Sequence, residues 1–181
     1  MKQLCLKRFY LRYHLRELYE IITSPVEQKW IYPQIAINSD VDFEGWLMNQ
    51  LKYAWHDFFI VEEGQTGAFM GFVYSYEFLP NDGHSKICVY LTPEYRNSGL
   101  GALAAIQFMK LLFTQYSLRK LFITIYDYNQ ESLASNLQAG FVEEGCLKEY
   151  RYLDQKYYDL HILAIERAVF EQRLAGLVEE A

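Results

Sequence analysis

At 181 residues the chain has the length of one ordinary domain and can bury a substantial core. Hydrophobic residues make up 51% and aromatic ones 17%, including 16 Tyr, which excludes a disordered chain. A formal net charge of -6 argues against nucleic-acid binding through phosphate neutralisation, and the 3 cysteines, Cys5, Cys88 and Cys146, indicate neither a disulfide framework nor a zinc site, so a reducing cytoplasm is expected.

The opening residues carry basic side chains but no long apolar run, so neither a signal peptide nor a membrane span is expected. Residues 4–9 alternate as a strand, with Cys5 as a buried thiol. Leu11, Leu15, Leu18, Tyr19 and Ile22 recur at helical spacing and stop at Thr23-Ser24-Pro25, after which Pro25 and Pro33 bracket a loop around Trp30. Phe43, Trp46, Leu47, Gln50, Leu51 and Ala54 mark a second amphipathic helix, with Asp40 or Asp42 as its expected N-cap. Residues 57–62 and 67–78 read as a hairpin about Glu63-Gly64-Gln65-Thr66. In its second strand Met70, Phe72, Tyr74, Tyr76 and Phe78 share one face.

Asn81-Asp82-Gly83 turns the chain into a strand through Ile87, Val89 and Leu91. There follows Thr92-Pro93-Glu94-Tyr95-Arg96-Asn97-Ser98-Gly99-Leu100-Gly101-Ala102, and then Leu103, Ala104, Gln107, Phe108, Leu111 and Leu112 at helical spacing. The Gly-x-Gly turn therefore lies at a helix N-terminus, where unpaired N–H groups and the helix dipole favour an anion. Arg96 can add a charge-assisted contact. Taken alone, the same glycines also suit an ordinary sharp turn. The absence of Gly-Lys-Ser/Thr excludes a nucleoside-triphosphate P-loop.

Residues 120–127 form the next expected strand. A strand, helix and strand in succession imply a right-handed crossover and a parallel pair. A helix at 131–138, strands at 141–154 and 156–165, and a closing helix through Ile165, Val169, Phe170, Leu174 and Leu177 complete a single expected domain, residues 1–181. The closing helix is a packing element or a dimer contact.

Arg96 to Ala102 resembles the acyl-CoA pyrophosphate loop of the GNAT superfamily of N-acetyltransferases. Asn129-Gln130-Glu131-Ser132, then Ala139-Gly140-Phe141 and Glu143-Glu144-Gly145, resemble that superfamily's second signature, most like the branch of ribosomal-protein N-terminal and spermidine acetyltransferases. The resemblance implies an α/β fold: a mixed, mostly antiparallel sheet of six to seven strands with a central splayed parallel pair and flanking helices. It implies acetyl-CoA as acyl donor and a primary amine as acceptor, in a reaction that requires no metal; the net charge and the lack of a long apolar run lead to the expectation of no nucleic-acid and no membrane partner. Val89, Tyr90 and Leu91 would offer backbone groups to the pantetheine arm; Arg96, Asn97, Ser98, Gly99, Leu100, Gly101 and Ala102 would hold the pyrophosphate. Asn129 and Ser132 would contact the pantetheine or the 3′-phosphate region, with helix capping as the other role open to Asn129.

Acyl transfer also needs a proton acceptor for the amine and a donor for the departing thiolate. Many relatives place a Tyr where this chain has Asn136, which leaves Ser132 or water as the donor. Glu77 is the best carboxylate for the base, with Glu94 and His84 behind it, while Lys86 stands where some relatives carry an acid. Phe72, Tyr74, Tyr76 and Trp46 are either an aromatic wall for the amine or core packing. The expected activity is acetyl transfer from acetyl-CoA to an amine by direct attack in a ternary complex. The alternative is a non-catalytic acyl-CoA-binding module.

Overall fold

Alternating apolar side chains over much of the chain produce one seven-stranded sheet with flanking helices, seen in a computed structural model that describes residues 4–10, 13–27, 29–31, 37 and 39–179. Leu11 and Pro33 lie outside the described residues. The elements run β1 (Leu4–Arg8), α1 (Leu15–Thr23), α2 (Asp40–Asn49), β2 (Trp55–Glu63), β3 (Phe69–Leu79), β4 (His84–Leu91), α3 (Leu100–Gln115), β5 (Lys120–Tyr126), α4 (Gln130–Gln138), β6 (Val142–Leu153), β7 (Lys156–Glu166) and α5 (Arg167–Glu179). Strand order is β1-β2-β3-β4-β5-β7-β6. The expected parallel pair is present: His84, Ser85 and Lys86 of β4 lie opposite Lys120, Leu121 and Phe122 of β5.

Backbone contacts group the chain into two compact units, Met1–Glu77 with Cys88–Phe108, and Phe78–Ile87 with Met109–Ala181. In the first unit, Leu18 and Ile22 of α1 and Phe43, Trp46 and Leu47 of α2 bury against Phe58, Ile60 and Phe72 of the sheet. Phe72 and Trp46 are thus core residues. The Trp55 ring stacks between Phe58 at 4.9 Å and Tyr74 at 4.5 Å, an offset arrangement that adds to simple area burial. Helix α2 is capped by Ser39 rather than by either aspartate: Ser39 is extended and its side chain accepts from the Asp42 N–H at 3.2 Å. Asp40 and Asp42 instead place negative charge in the first turn, where the positive end of the helix dipole stabilises it.

Gly71 sets how closely β3 and β4 approach. A Cβ there would lie 2.0 Å from the Tyr90 carbonyl oxygen and 2.9 Å from the Leu91 Cα, so no other residue fits this backbone. Just beyond, the Thr92 N–H donates to the Met70 carbonyl at 2.9 Å.

In the second unit, Leu112, Leu118, Leu121 and Leu163 are fully buried, and Phe113 packs on Phe170 of α5 at 5.4 Å between ring centres. Arg167 fastens the start of α5 by donating to the carbonyls of Leu118 and Tyr116, each at 2.7 Å. Those carbonyls follow the C-terminus of α3, where the chain leaves its helical bonding. Strand β6 pairs with β7 through register shifts between Glu143 and Gly145 and between Leu147 and Arg151, with Glu149 at φ 52 inside the second.

Candidate coenzyme loop and surrounding groups

After β4, Pro93–Tyr95 makes a 3-10 turn because Pro93 presets its own φ and its missing N–H costs nothing at a first position. Ser98 then ties the loop together: its hydroxyl donates to the Tyr95 carbonyl at 2.6 Å and accepts from the Leu100 N–H at 3.4 Å. Asn97 and Gly99 are both left-handed, at φ 56 and φ 80. Asn tolerates that conformation better than most side chains, and glycine adopts it without penalty.

Helix α3 begins with the Leu103 N–H donating to the Gly99 carbonyl at 3.2 Å. The N–H groups of Gly101 and Ala102 come before that bond, at the positive end of the helix. A Cβ on Gly99 would meet nothing within 4 Å, so the face of the turn is open. At Gly101 a Cβ would make an ordinary 3.7 Å contact with Leu91 Cδ1. The two glycines therefore differ: Gly99 answers to backbone conformation, whereas the Gly101 position has room for Ala. Beside the loop, the Thr92 hydroxyl oxygen is buried without a hydrogen-bond partner, which marks a place for a polar ligand atom or water. An open anion-favouring turn with an unpaired hydroxyl at its edge fits a phosphate-bearing ligand.

Arg96 does not extend toward solvent. Its Nε donates to the Leu91 carbonyl at 2.9 Å and an Nη donates to the Glu27 carboxylate. Its guanidinium also lies 5.5 Å from the Trp30 ring centre and 5.2 Å from that of Tyr90. Tyr90 donates its hydroxyl to the same Glu27 oxygen at 2.8 Å. Burial raises the Tyr90 phenol well above its ordinary range, and the adjacent Glu27 carboxylate adds to the rise, so the phenol remains a donor. Glu27 carries no helical or strand periodicity that would have singled it out. Val89 is half-buried, and Tyr90 and Leu91 are buried.

Glu77 is exposed at φ 45, a bulge-like conformation that side chains rarely adopt. Tyr74 shares a hydrogen bond with the Cys88 thiol. Burial pushes Cys88 up to about 11, and that bond only partly opposes it. Tyr76 packs on Tyr74 at 5.7 Å.

Within the second unit, Asn129 caps α4, its side-chain oxygen accepting from the Ser132 N–H at 3.3 Å. The Asn136 amide donates to the Ser132 carbonyl at 2.8 Å and to its hydroxyl at 3.3 Å. Ser132 and Asn136 are thus directly bonded partners. His84 packs edge-on against Phe122 at 5.5 Å, and Glu94, in the first unit, is exposed. Near the end of β5, Tyr126 and Tyr128 stack at 5.3 Å beneath the Arg151 guanidinium, which donates to the Tyr128 hydroxyl at 2.8 Å. Burial raises the Tyr128 phenol to about 12 despite that cation. Glu143, Cys146 and His161 offer ligand atoms within 4.8 Å of one another on β6 and β7, with His161 Nδ1 3.2 Å from Glu143.

The chain resembles the SPbeta prophage-derived uncharacterized N-acetyltransferase YokL of Bacillus subtilis (strain 168), with 22% identity over 126 residues and 70% of each chain covered. Among solved structures, the spermidine N-acetyltransferase from Vibrio cholerae in complex with CoA and spermine superposes with a TM-score of 0.81 at 21% identity, covering 93% of this chain and 98% of that one. A chimera of the Vibrio cholerae spermidine N-acetyltransferase SpeG with hSSAT gives a TM-score of 0.78 at 22% identity, covering 94% and 99%. These likenesses establish the fold. The acetyltransferase (GNAT) domain profile matches residues 3–142, which takes in the whole Arg96–Ala102 loop, and the chain accordingly belongs to the GNAT acetyltransferase family.

Proposed function

We propose that the protein transfers an acetyl group from acetyl-CoA to a primary amine by direct attack within a ternary complex. The observation that carries this reading is the open turn at Gly99, followed by amides that precede the first hydrogen bond of α3. Such a turn favours the two negative phosphates of a coenzyme. Ser98 keeps the turn in shape, and Thr92 offers an unpaired hydroxyl.

A bound thioester needs a neutral amine against its carbonyl. Glu77 is proposed as the proton acceptor: it is exposed, as a base that must exchange protons with solvent is, and it is held at a backbone position with a conformational cost. The thiolate of coenzyme A is a weak base, so protonation by water suffices, and Ser132 is the side-chain alternative. Calorimetry with acetyl-CoA, followed by release of free thiol across a panel of amines, tests the reading. Absence of binding at millimolar acetyl-CoA would reject it. Binding without thiol release would replace the enzyme with an acyl-CoA-binding module.

A further inference from the structure

Glu27, Trp30, Tyr90 and Arg96 all belong to the first unit. Glu27 is only 7% exposed, and one of its oxygens accepts from both the Tyr90 hydroxyl and Arg96. Trp30 and Tyr90 present their rings to the Arg96 guanidinium, and Lys29 Nζ also sits 4.7 Å from the Trp30 ring centre. A sequestered carboxylate beside two aromatic rings is the chemistry of a site for an organic cation.

The present occupant is a side chain from the head of the phosphate-favouring loop. Its Nε and an Nη, an edge suited to gripping phosphate bidentately, are committed to Leu91 and Glu27. We infer that Glu27, Trp30 and Tyr90 form a cation seat occupied by Arg96, and that a coenzyme diphosphate competes for Arg96, draws it away and opens the seat to a cationic group of the acceptor. The inference rests on the loop's role proposed above.

Two consequences follow from charge alone. A sequestered Glu27 without a cation is strongly unfavourable, so diphosphate binding is opposed until another cation arrives. Coenzyme and acceptor then strengthen each other's binding by the same factor. The nitrogen that attacks the thioester must be neutral, so the seat holds a different, charged group of the acceptor. Tyr90 keeps its proton and donates to Glu27 whichever cation is seated.

Two measurements test this. Glu27→Gln removes the competing charge, and we expect acetyl-CoA to bind tighter by on the order of tenfold, a typical coupling factor. Arg96→Ala vacates the seat, and we expect methylguanidinium to bind that variant saturably without coenzyme, to bind wild type only once CoA is present, and to lose binding in the double variant with Glu27→Gln. Unchanged or weaker acetyl-CoA binding by a folded Glu27→Gln protein overturns the inference, as does a lack of saturable methylguanidinium binding to Arg96→Ala. If Glu27→Gln does not fold, Tyr90→Phe replaces it: Glu27 then depends more on Arg96, so acetyl-CoA affinity should fall, and no change overturns the inference. Failure of wild type to bind acetyl-CoA at all is a separate outcome that removes the underlying reading, because the methylguanidinium titration of Arg96→Ala does not involve the coenzyme.

Discussion

The Gly71 Cα sits so close to Tyr90 that a Cβ would lie 2.0 Å from the Tyr90 carbonyl oxygen. Both partners in that contact are backbone, so no side-chain rotation relieves it. Gly71→Ala is expected to destabilise the protein by about 3 kcal/mol or more, or roughly 6–12 °C in Tm. A thermal melt within about 2 °C of wild type would show that β3 and β4 can separate freely there.

At the coenzyme loop, the two glycines should respond differently. Gly99→Ala forces a side chain into φ 80 at a local cost of about 1–2 kcal/mol, yet meets open space, so the protein stays folded. Gly99→Glu adds negative charge where the diphosphate is proposed to bind, and acetyl-CoA affinity should be lost. Gly101→Ala should leave both stability and affinity within about threefold of wild type. Equal losses at the two positions, read by calorimetry, would contradict the different roles assigned to them.

Stability should fall at alkaline pH. Cys88 ordinarily loses its proton near 9.0 but holds it to about 11 when folded, and Tyr128 moves from 10.0 to about 12. In each case the unfolded chain ionises first, so the stabilisation is complete below pH 9 and is lost as pH rises through about 9 to 12. Urea midpoints across that range should decline, with Cys88→Ala flattening the segment below about pH 11. Midpoints that hold steady from about pH 8.5 to 10.5 would mean that Cys88 is open to water. In native alkylation at about pH 8, Cys88 should also label more slowly than Cys146.

Arg167 joins two carbonyls beyond α3 to the start of α5. Arg167→Met keeps the stem and removes the donors, and should cost about 1–3 kcal/mol by leaving those carbonyls poorly satisfied. Arg167→Lys, with a single ammonium, should recover only part of the loss in a denaturant titration.

Glu77→Gln is expected to lower kcat on a responsive amine by about a hundredfold or more while the KM for acetyl-CoA stays put. An unaltered kcat would send the proton by another route.

Strands and helices were readable where one face is buried. Phe72 and Tyr74 alternate because β3 packs one side on the α1 and α2 core, but the register shift between Val61 and Glu62 puts Phe69 there in place of Met70, which breaks the expected alternation; Ile87 and Leu91, both buried, announce β4. The α3 turn was readable because its signal is local: two glycines, an arginine and a helix start. Asn129 as the cap of α4 was similarly legible from four consecutive residues. The Ser39 cap was not, since Ser, Asp and Asp all fall within four positions and any could have served. Nothing local announced Glu27, whose partners Tyr90 and Arg96 lie 63 and 69 residues away. Nor does local periodicity show that Gly71 must be glycine, because the atoms that exclude a side chain belong to another strand.

The two register shifts in β6 have a use of their own. β6 ends the sheet and exposes Val142, Leu147, Tyr150 and Tyr152 along its length. A long, flat border with those side chains would template the addition of foreign strands and seed aggregates. With its register shifted twice, once at Glu143–Gly145 and again around the left-handed Glu149, β6 lacks the regular, uninterrupted edge that such templating needs.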